Sequence, residues 1–203
     1  MTNPTEVIQG SDEWFALRLG KVTASKVSDV MSKGTGRATY MDDLLAERMS
    51  GQSKPSFTND AMRWGTEQEP YARQAYEVDQ ECFVEETGFW EHDELALGVS
   101  PDGLVGEGGL VEIKCPNSST HVGLLRTKKV PAKHIKQIQC QLWVTGRSWC
   151  DFVSYDPRMI DTKNRLMVVR CKRDDALITK MELEVRKFLT ELDGWTKGES
   201  DEQ

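Results

Sequence analysis

No run in the 203 residues approaches the ~20 consecutive apolar positions of a membrane span. The opening MTNPTEVIQG has neither a basic start nor an apolar core, so no secretory signal is expected and the chain is expected in the cytoplasm. Five cysteines, Cys82, Cys115, Cys140, Cys150 and Cys171, form no C-x-x-C pair. That argues against a zinc ribbon or a redox dithiol and leaves reduced, mostly buried thiols. The histidines, His92, His121 and His134, do not cluster, and none is assigned a catalytic role. There are no repeats and no low-complexity tracts. The most pointed absence is of acid: from Asn117 to Cys150 there is no Asp or Glu, while Arg126, Lys128, Lys129, Lys133, Lys136 and Arg147 all fall there. The net charge is nevertheless −7. A basic face on an acidic body is one reading of this pattern, and an ordinary solvated helix surface is the other.

With 38% hydrophobic and 29% charged residues, the composition suits one soluble domain over 1–203. Its first part, about 10–79, reads as helical. Ser11-Asp12-Glu13 opens a helix closed by Gly20, Thr23-Ala24-Ser25 caps another through Met31, and Leu44, Leu45 and Met49 share a face of a third. A loop over 51–58 precedes a long helical region capped by Asn59 or Asp60, reaching about Val78 and bent or broken near Pro70. From about 80 to 195 the pattern mixes strands and helices. Cys82–Trp90, Leu95–Val105 and Gly109–Cys115 read as strands, followed by a helix from Pro131 with Ile135, Ile138 and Leu142 on one side. Strands Trp149–Tyr155 and Leu166–Cys171 and a helix over Asp174–Trp195 complete the series, with a disordered tail expected over 196–203. Trp14, Trp143, Trp149 and Trp195 fall among apolar positions and read as core. The order implies an α/β fold with a mixed central sheet flanked by helices.

One stretch resists a purely structural explanation: "SPDGLVGEGGLVEIKCP" (100–116) places Asp102, Glu112 and Lys114 among small and apolar residues. Residues two apart in a strand share a face, so Glu112 and Lys114 project together while Val111, Ile113 and Cys115 face the other way. A hairpin over the glycine-rich turn brings Asp102 alongside Glu112. Two converging carboxylates repel unless a cation lies between them, and oxygen ligands suit Mg²⁺ or Mn²⁺. A lysine beside them would hold a water or a phosphate oxygen, which points to metal-assisted hydrolysis of a phosphodiester. On spacing alone a second reading stays open, in which Glu112 and Lys114 form a surface ion pair and Asp102 is a turn residue.

The trio resembles the PD-(D/E)xK nuclease signature, and the resemblance extends further. "DEWFALRLGKVTAS" (12–25), "RWGTEQEPYAR" (63–73), "SPDGL" (100–104), "LVEIKCP" (110–116), "KQIQCQLWVTGR" (136–147) and "YDPRM" (155–159) occur in the order found in the lambda exonuclease and YqaJ-like viral recombinase family. That resemblance implies a restriction-endonuclease-like core with an N-terminal helical extension. It implies a Mg²⁺-dependent 5′→3′ exonuclease on linear double-stranded DNA that releases 5′-mononucleotides and leaves a 3′ single-stranded tail for phage-type recombination. It also implies a homotrimeric ring, a single-strand annealing partner, no membrane, and a phage or prophage protein in the cytoplasm of a bacterial host. By match, Asp102 and Glu112 would be metal ligands with the carbonyl of Ile113, and Lys114 would position the water. Glu69 would bond metal-bound water or orient Lys114, and Gln137 would line the same site, with Gln139 facing elsewhere. Arg18, Ser25 and Ser100 match a pocket for the terminal 5′-phosphate, and a guanidinium fork with hydroxyl donors suits a dianion. Met62 stands where the family carries an apolar wedge at the duplex end, and a core methionine is the competing reading.

The alternatives are a PD-(D/E)xK endonuclease or junction resolvase, or a non-catalytic DNA-binding subunit retaining the fold. The dispersed cysteines exclude the iron–sulfur branch of related nucleases.

Overall fold

The computed structural model describes residues 4–53 and 59–197. The N-terminal part comprises α1 (Asp12–Arg18), β1 (Val22–Thr23), a 3₁₀ turn (Ala24–Lys26), α2 (Val27–Val30), α3 (Thr35–Ser50) and α4 (Asp60–Gln80). Four short strands and a longer one follow: β2 (Val84–Glu85), β3 (Trp90–Glu91), β4 (Leu97–Val99), β5 (Gly103–Val105) and β6 (Gly109–Lys114). Then come α5 (Ser118–Thr127), α6 (Ala132–Thr145), β7 (Trp149–Tyr155), β8 (Leu166–Lys172) and α7 (Asp175–Lys197).

The strands make two mixed sheets, one of five strands in the order β2-β5-β6-β7-β8 and one of three in the order β1-β4-β3. The α/β class with helices on both sides of a mixed sheet agrees with the sequence reading. The single sheet does not, because two expected strands each divide between sheets. Cys82–Trp90 becomes β2 in the large sheet and β3 in the small one. The break falls at Gly88, where a Cβ would collide with the carbonyl of Thr5, so the N-terminal segment crosses the chain there. Leu95–Val105 becomes β4 and β5, divided at Ser100-Pro101-Asp102, since a proline has no N–H to give to a ladder.

β6 is the middle of the large sheet, antiparallel to β5 and parallel to β7. A parallel neighbour needs a crossover, and α5 with α6 supplies it. Both faces of β6 are covered, which is why its apolar residues run almost without interruption. Leu110 packs in a core with Ile138 and Leu142 of α6, Phe152 of β7 and Phe188 of α7. On the other face Val111, Ile113 and Cys115 meet Ala72 and Tyr76 of α4. Gly103 fits the crowded start of β5 because a Cβ there would strike the Val84 side chain.

α4 runs unbroken through Pro70, contrary to the expected break, with the Asn59 side chain accepting from the Met62 N–H at 2.9 Å as its cap. Burial of Ala72 and Tyr76 against the sheet outweighs the hydrogen bond that proline removes. α5 is absent from the sequence reading. Only His121 and Leu124 on it are buried, so it lacks a long apolar stripe, and Asn117 caps it by accepting from the Thr120 N–H at 2.9 Å. His121 pins it to the β7–β8 hairpin: Nε2 donates to the Asn164 carbonyl at 2.8 Å, and Nδ1 accepts from the Ser154 hydroxyl at 2.8 Å. Trp195, expected in the core, is 57% exposed, since the inward face of α7 is taken by Ile178, Met181, Val185, Phe188, Leu189 and Leu192. α7 extends to Lys197, past the expected start of the tail; 198–203 lie outside the described residues, as does 54–58 of the expected loop.

Asp156 closes the far end of the hairpin. Its buried carboxylate accepts from Arg158 Nε at 2.7 Å, and Arg158 Nη2 also reaches the Pro116 carbonyl at 3.2 Å beyond the end of β6. Burial alone would raise the Asp156 pKa, but hydrogen bonds from the Arg158 side chain, Ser118 and the Arg158 N–H outweigh it and hold it at about 2. A folded pKa below the unfolded value of about 3.9 stabilises the fold above that value, and the stabilisation disappears as pH falls toward 2. Asp156→Asn is therefore expected to cost about 1–2 kcal/mol at pH 7, with the gap from wild type narrowing between about pH 4 and 2 in urea unfolding curves. A gap independent of pH would contradict this account.

Candidate active site

The site grows from the register of one hairpin. Gly103 pairs with Val111 and Leu104 with Leu110, so the next position back, Asp102, stands level with Glu112. Asp102 Oδ2 accepts the Ile113 N–H at 2.6 Å, which fixes the carboxylate at the end of the sheet. Glu112 is fully buried on the face toward α6. Its Oε1 accepts from Lys114 Nζ at 2.5 Å and from Gln137 Nε2 at 2.6 Å, and its Oε2 accepts from Gln141 Nε2 at 2.6 Å. Gln137 and Gln141 are four apart and therefore share a helix face. Gln139 faces elsewhere, donating to the Lys172 carbonyl and accepting from the Asp174 N–H, both at 2.8 Å.

The charges shift one another. Burial, then the neighbouring Glu112, raises the Asp102 pKa well above the usual carboxylate range, against the pull of Lys114. Burial acts to lower the Lys114 pKa, but attraction to Glu112 and Asp102 outweighs it, so the ammonium holds its proton more tightly than usual. Glu69, on α4, is raised by burial while Arg73 and Lys114 pull it down. Glu69 lies 3.5 Å from Arg73, and both line a cavity of about 420 Å³ together with Asp102 and Gln9. His134 borders the same charges; burial, then Lys114 and Lys133, lowers its pKa.

The donor set bears on which metal fits. Among the described residues no three His, Cys, Asp or Glu side chains gather as a metal cluster. Two carboxylates are present, all-oxygen, and mutually repelling in a buried setting. Glu112 has used three of its roughly four lone-pair positions and Asp102 one, so both retain acceptor capacity. Such a set fits a hard divalent ion that keeps several of its waters, as Mg²⁺ does, and does not fit a zinc site.

A second cavity, about 180 Å³, adjoins the first. Its lining includes Arg18, Ser25, Ser100, Trp14 and Gln137. The sequence-selected trio of Arg18, Ser25 and Ser100 thus comes together, and Gln137 reaches from it to Glu112. Trp14, expected in the core, instead lines this cavity. Its indole N–H donates to the Ser100 hydroxyl at 2.9 Å, and the Arg18 guanidinium lies 3.8 Å from its ring centre. Arg18 makes no ion pair or side-chain hydrogen bond among the described residues, and burial lowers its pKa. Met62 is 52% exposed in the first turn of α4, which removes the core reading. Sequence reasoning passed over Gln141 and read Trp14 as core. The four-residue spacings Gln137–Gln141 and Trp14–Arg18 were the available signals.

Comparison with known proteins gives a consistent relationship. The model of the YqaJ-like viral recombinase domain matches residues 13–148. The crystal structure of an alkaline exonuclease, LHK-Exo, from Laribacter hongkongensis is 48% identical, with 92% of this chain and 95% of that chain covered and a TM-score of 0.88. The structure of LHK-Exo in complex with dAMP superposes with a TM-score of 0.89. A phage related exonuclease from Haemophilus somnus 129PT, 18% identical over 89% of this chain and 96% of that one, shares the fold with a TM-score of 0.69. Uncharacterized protein R354 of Acanthamoeba polyphaga mimivirus is 27% identical over 159 residues, 71% of this chain; the chain spans only 28% of that protein's length. The protein belongs to the YqaJ-like viral recombinase family and is a homologue of an alkaline exonuclease.

Proposed function

We propose that the protein is a divalent-metal-dependent 5′→3′ exonuclease that degrades one strand of linear double-stranded DNA to 5′-mononucleotides. The observation that carries this reading is the junction of two features. Buried Glu112, with half-buried Asp102 and Lys114 beside it, adjoins a small cavity holding an arginine without an ion pair and two serine hydroxyls. An internal cutter has no use for a separate phosphate-sized pocket beside its carboxylates, whereas an enzyme that starts from a chain end does.

Asp102 and Glu112, with the carbonyl of Ile113, would hold Mg²⁺ or Mn²⁺, which when bound supplies a Lewis acid and an activated water. Lys114 keeps its proton and serves as a cation, aligning the attacking water or a phosphate oxygen rather than acting as a base. Gln137 and Gln141 hold Glu112 in its rotamer. Glu69 offers a further acceptor in the cavity that Asp102 also lines. Arg18, stacked on Trp14, and the hydroxyls of Ser25 and Ser100 would receive the terminal 5′-phosphate, which would offset the cost of holding Arg18 half-buried without an ion pair. Exposed Met62 is suited to packing against the terminal base pair. We further propose, by resemblance to the family, action within a trimeric ring and transfer of the 3′ tail to a single-strand annealing protein.

Digestion of a linear duplex should release mononucleotides only with Mg²⁺ or Mn²⁺ present, covalently closed circles should stay whole, and Asp102→Ala should reduce release by at least about 10²–10³-fold. Linearised circles appearing in the digest would overturn the exonuclease reading in favour of an endonuclease. Gln141→Leu, which frees one oxygen of Glu112, should lower the rate about 10–100-fold and raise the Mg²⁺ concentration needed for half activity. An unchanged Mg²⁺ titration would remove Gln141 from the site's support. Arg18→Ala should abolish the preference for 5′-phosphate over 5′-hydroxyl ends while leaving hydrolysis measurable. A retained preference would mean that the small cavity is not the end-binding pocket.

A further inference from the structure

About half of the described cations pair with the chain's own acids. Lys21 pairs with Glu91, Arg37 with Glu191, Arg48 with Asp193, and Arg186 with Glu94 and Glu182. One corner gathers five that do not. Arg126 at the end of α5, Lys128 and Lys129 in the connection, and Lys133 and Lys136 in the first turns of α6 form no ion pair and no side-chain hydrogen bond among the described residues. All but the half-buried Lys136 are exposed, and α6 has no acidic residue in its first turn. Exposed like charges this close repel, and the acid-free stretch 117–150 gives them nothing nearby to pair with. The corner also adjoins the site: Lys133 and Lys136 immediately precede His134 and Gln137, and Gln137 bonds Glu112.

We infer that the α5–α6 corner, Arg126, Lys128, Lys129, Lys133 and Lys136, binds the phosphate backbone of the duplex being digested and carries it to the carboxylate site. This deepens the exonuclease reading and rests on it for the direction of travel. A polyanion is the occupant because repeated negative charge is what neutralises several unpaired cations in one stretch, and because Lys133 stands one helical turn before Gln137, which bonds Glu112. The corner also accounts for an acidic protein acting on DNA: the rest of the chain carries an excess of acid that repels nonspecific duplex, while the unpaired cations sit near the site.

The geometry allows a clean test. Lys128 has a φ of 51°, the left-handed position after a helix that glycine favours, and its N–H donates to the Leu124 carbonyl at 2.8 Å. Lys128→Gly therefore deletes the charge while easing the backbone. It would be combined with Lys129→Ala and Lys133→Ala, and binding to a 5′-phosphorylated linear duplex measured by fluorescence anisotropy in EDTA across a KCl series. The slope of log K against log[salt] should become shallower by about 0.9 for each phosphate no longer neutralised, a change approaching 3 for the triple variant. Lysine-to-arginine changes at 129 and 133 should keep the parent slope, which controls for damage to the fold. Lys172→Ala, Lys180→Ala and Lys187→Ala together, an equal charge change on β8 and α7, should also leave it unaltered. A triple corner variant with the parent slope, as expected if the corner met an acidic protein instead, would overturn the inference, and so would an equal change from the β8 and α7 set. Nucleotide release by the wild type is read separately. If the wild type hydrolyses nothing yet the corner variant loses slope, the exonuclease reading fails and the binding surface stands.

Discussion

A buried carboxylate organises this protein. Glu112 has no exposed surface, and bringing an ionised carboxylate out of water costs several kcal/mol unless it is paired and hydrogen-bonded. Three donors from two elements meet that requirement: Lys114 from its own strand, and Gln137 and Gln141 from α6. Satisfying one side chain thereby fixes how α6 lies across β6. Everything else attached to α6 follows from that placement. Gln137 is carried to the edge of the small cavity, His134 to the rim of the charged group, and the lysines before them to the adjoining surface. A valine at 112 would pack with less penalty and leave α6 free to choose its own angle. The charge costs stability and confers position, as is usual where a site rather than a core is being built.

The parts legible in the sequence were those governed by short, rigid periodicities. The two-residue period of a strand put Glu112 and Lys114 on one face, and a glycine-rich turn of few possible registers put Asp102 level with Glu112. The parts that were not legible depend on contacts distant in sequence. Nothing local in Cys82–Trp90 says that its two ends belong to different sheets, because the division is imposed by Thr5 crossing at Gly88. α5 was hidden because it buries only two side chains, so its amphipathic signal is faint. Pro70 suggested a break, and packing of α4 against Val111 and Ile113 overrode it. Trp14 looked like core because tryptophan usually is, and only the spatial arrival of Ser100, 86 residues later, gave its indole N–H a partner. The order of blocks along the chain carried the family relationship, but no block by itself contained this geometry.

The two cavities are joined by the covalent chain as well as by space. β1 and β4 run parallel in the small sheet, and each is closely followed by a residue of the small cavity, Ser25 two positions after Thr23 and Ser100 directly after Val99. Pro101 then ends the ladder, Gln9 fastens its carbonyl at 2.9 Å, and Asp102 opens the large sheet. The point at which the chain changes sheets therefore separates Ser100 from Asp102 by a single proline. An extended chain advances about 3.3 Å per residue, so these two Cα atoms lie roughly 6–7 Å apart, close to the reach of one nucleotide along a strand. Under the exonuclease reading, a terminal phosphate held at Ser100 would bring the next phosphodiester to Asp102, and cleavage there would release one nucleotide. Product length would then be set by a rigid, proline-fixed step between two sheets. On that reading the small sheet, which joins β1 of the N-terminal part to β4, would supply the measure from the chain end, and the carboxylates alone would not.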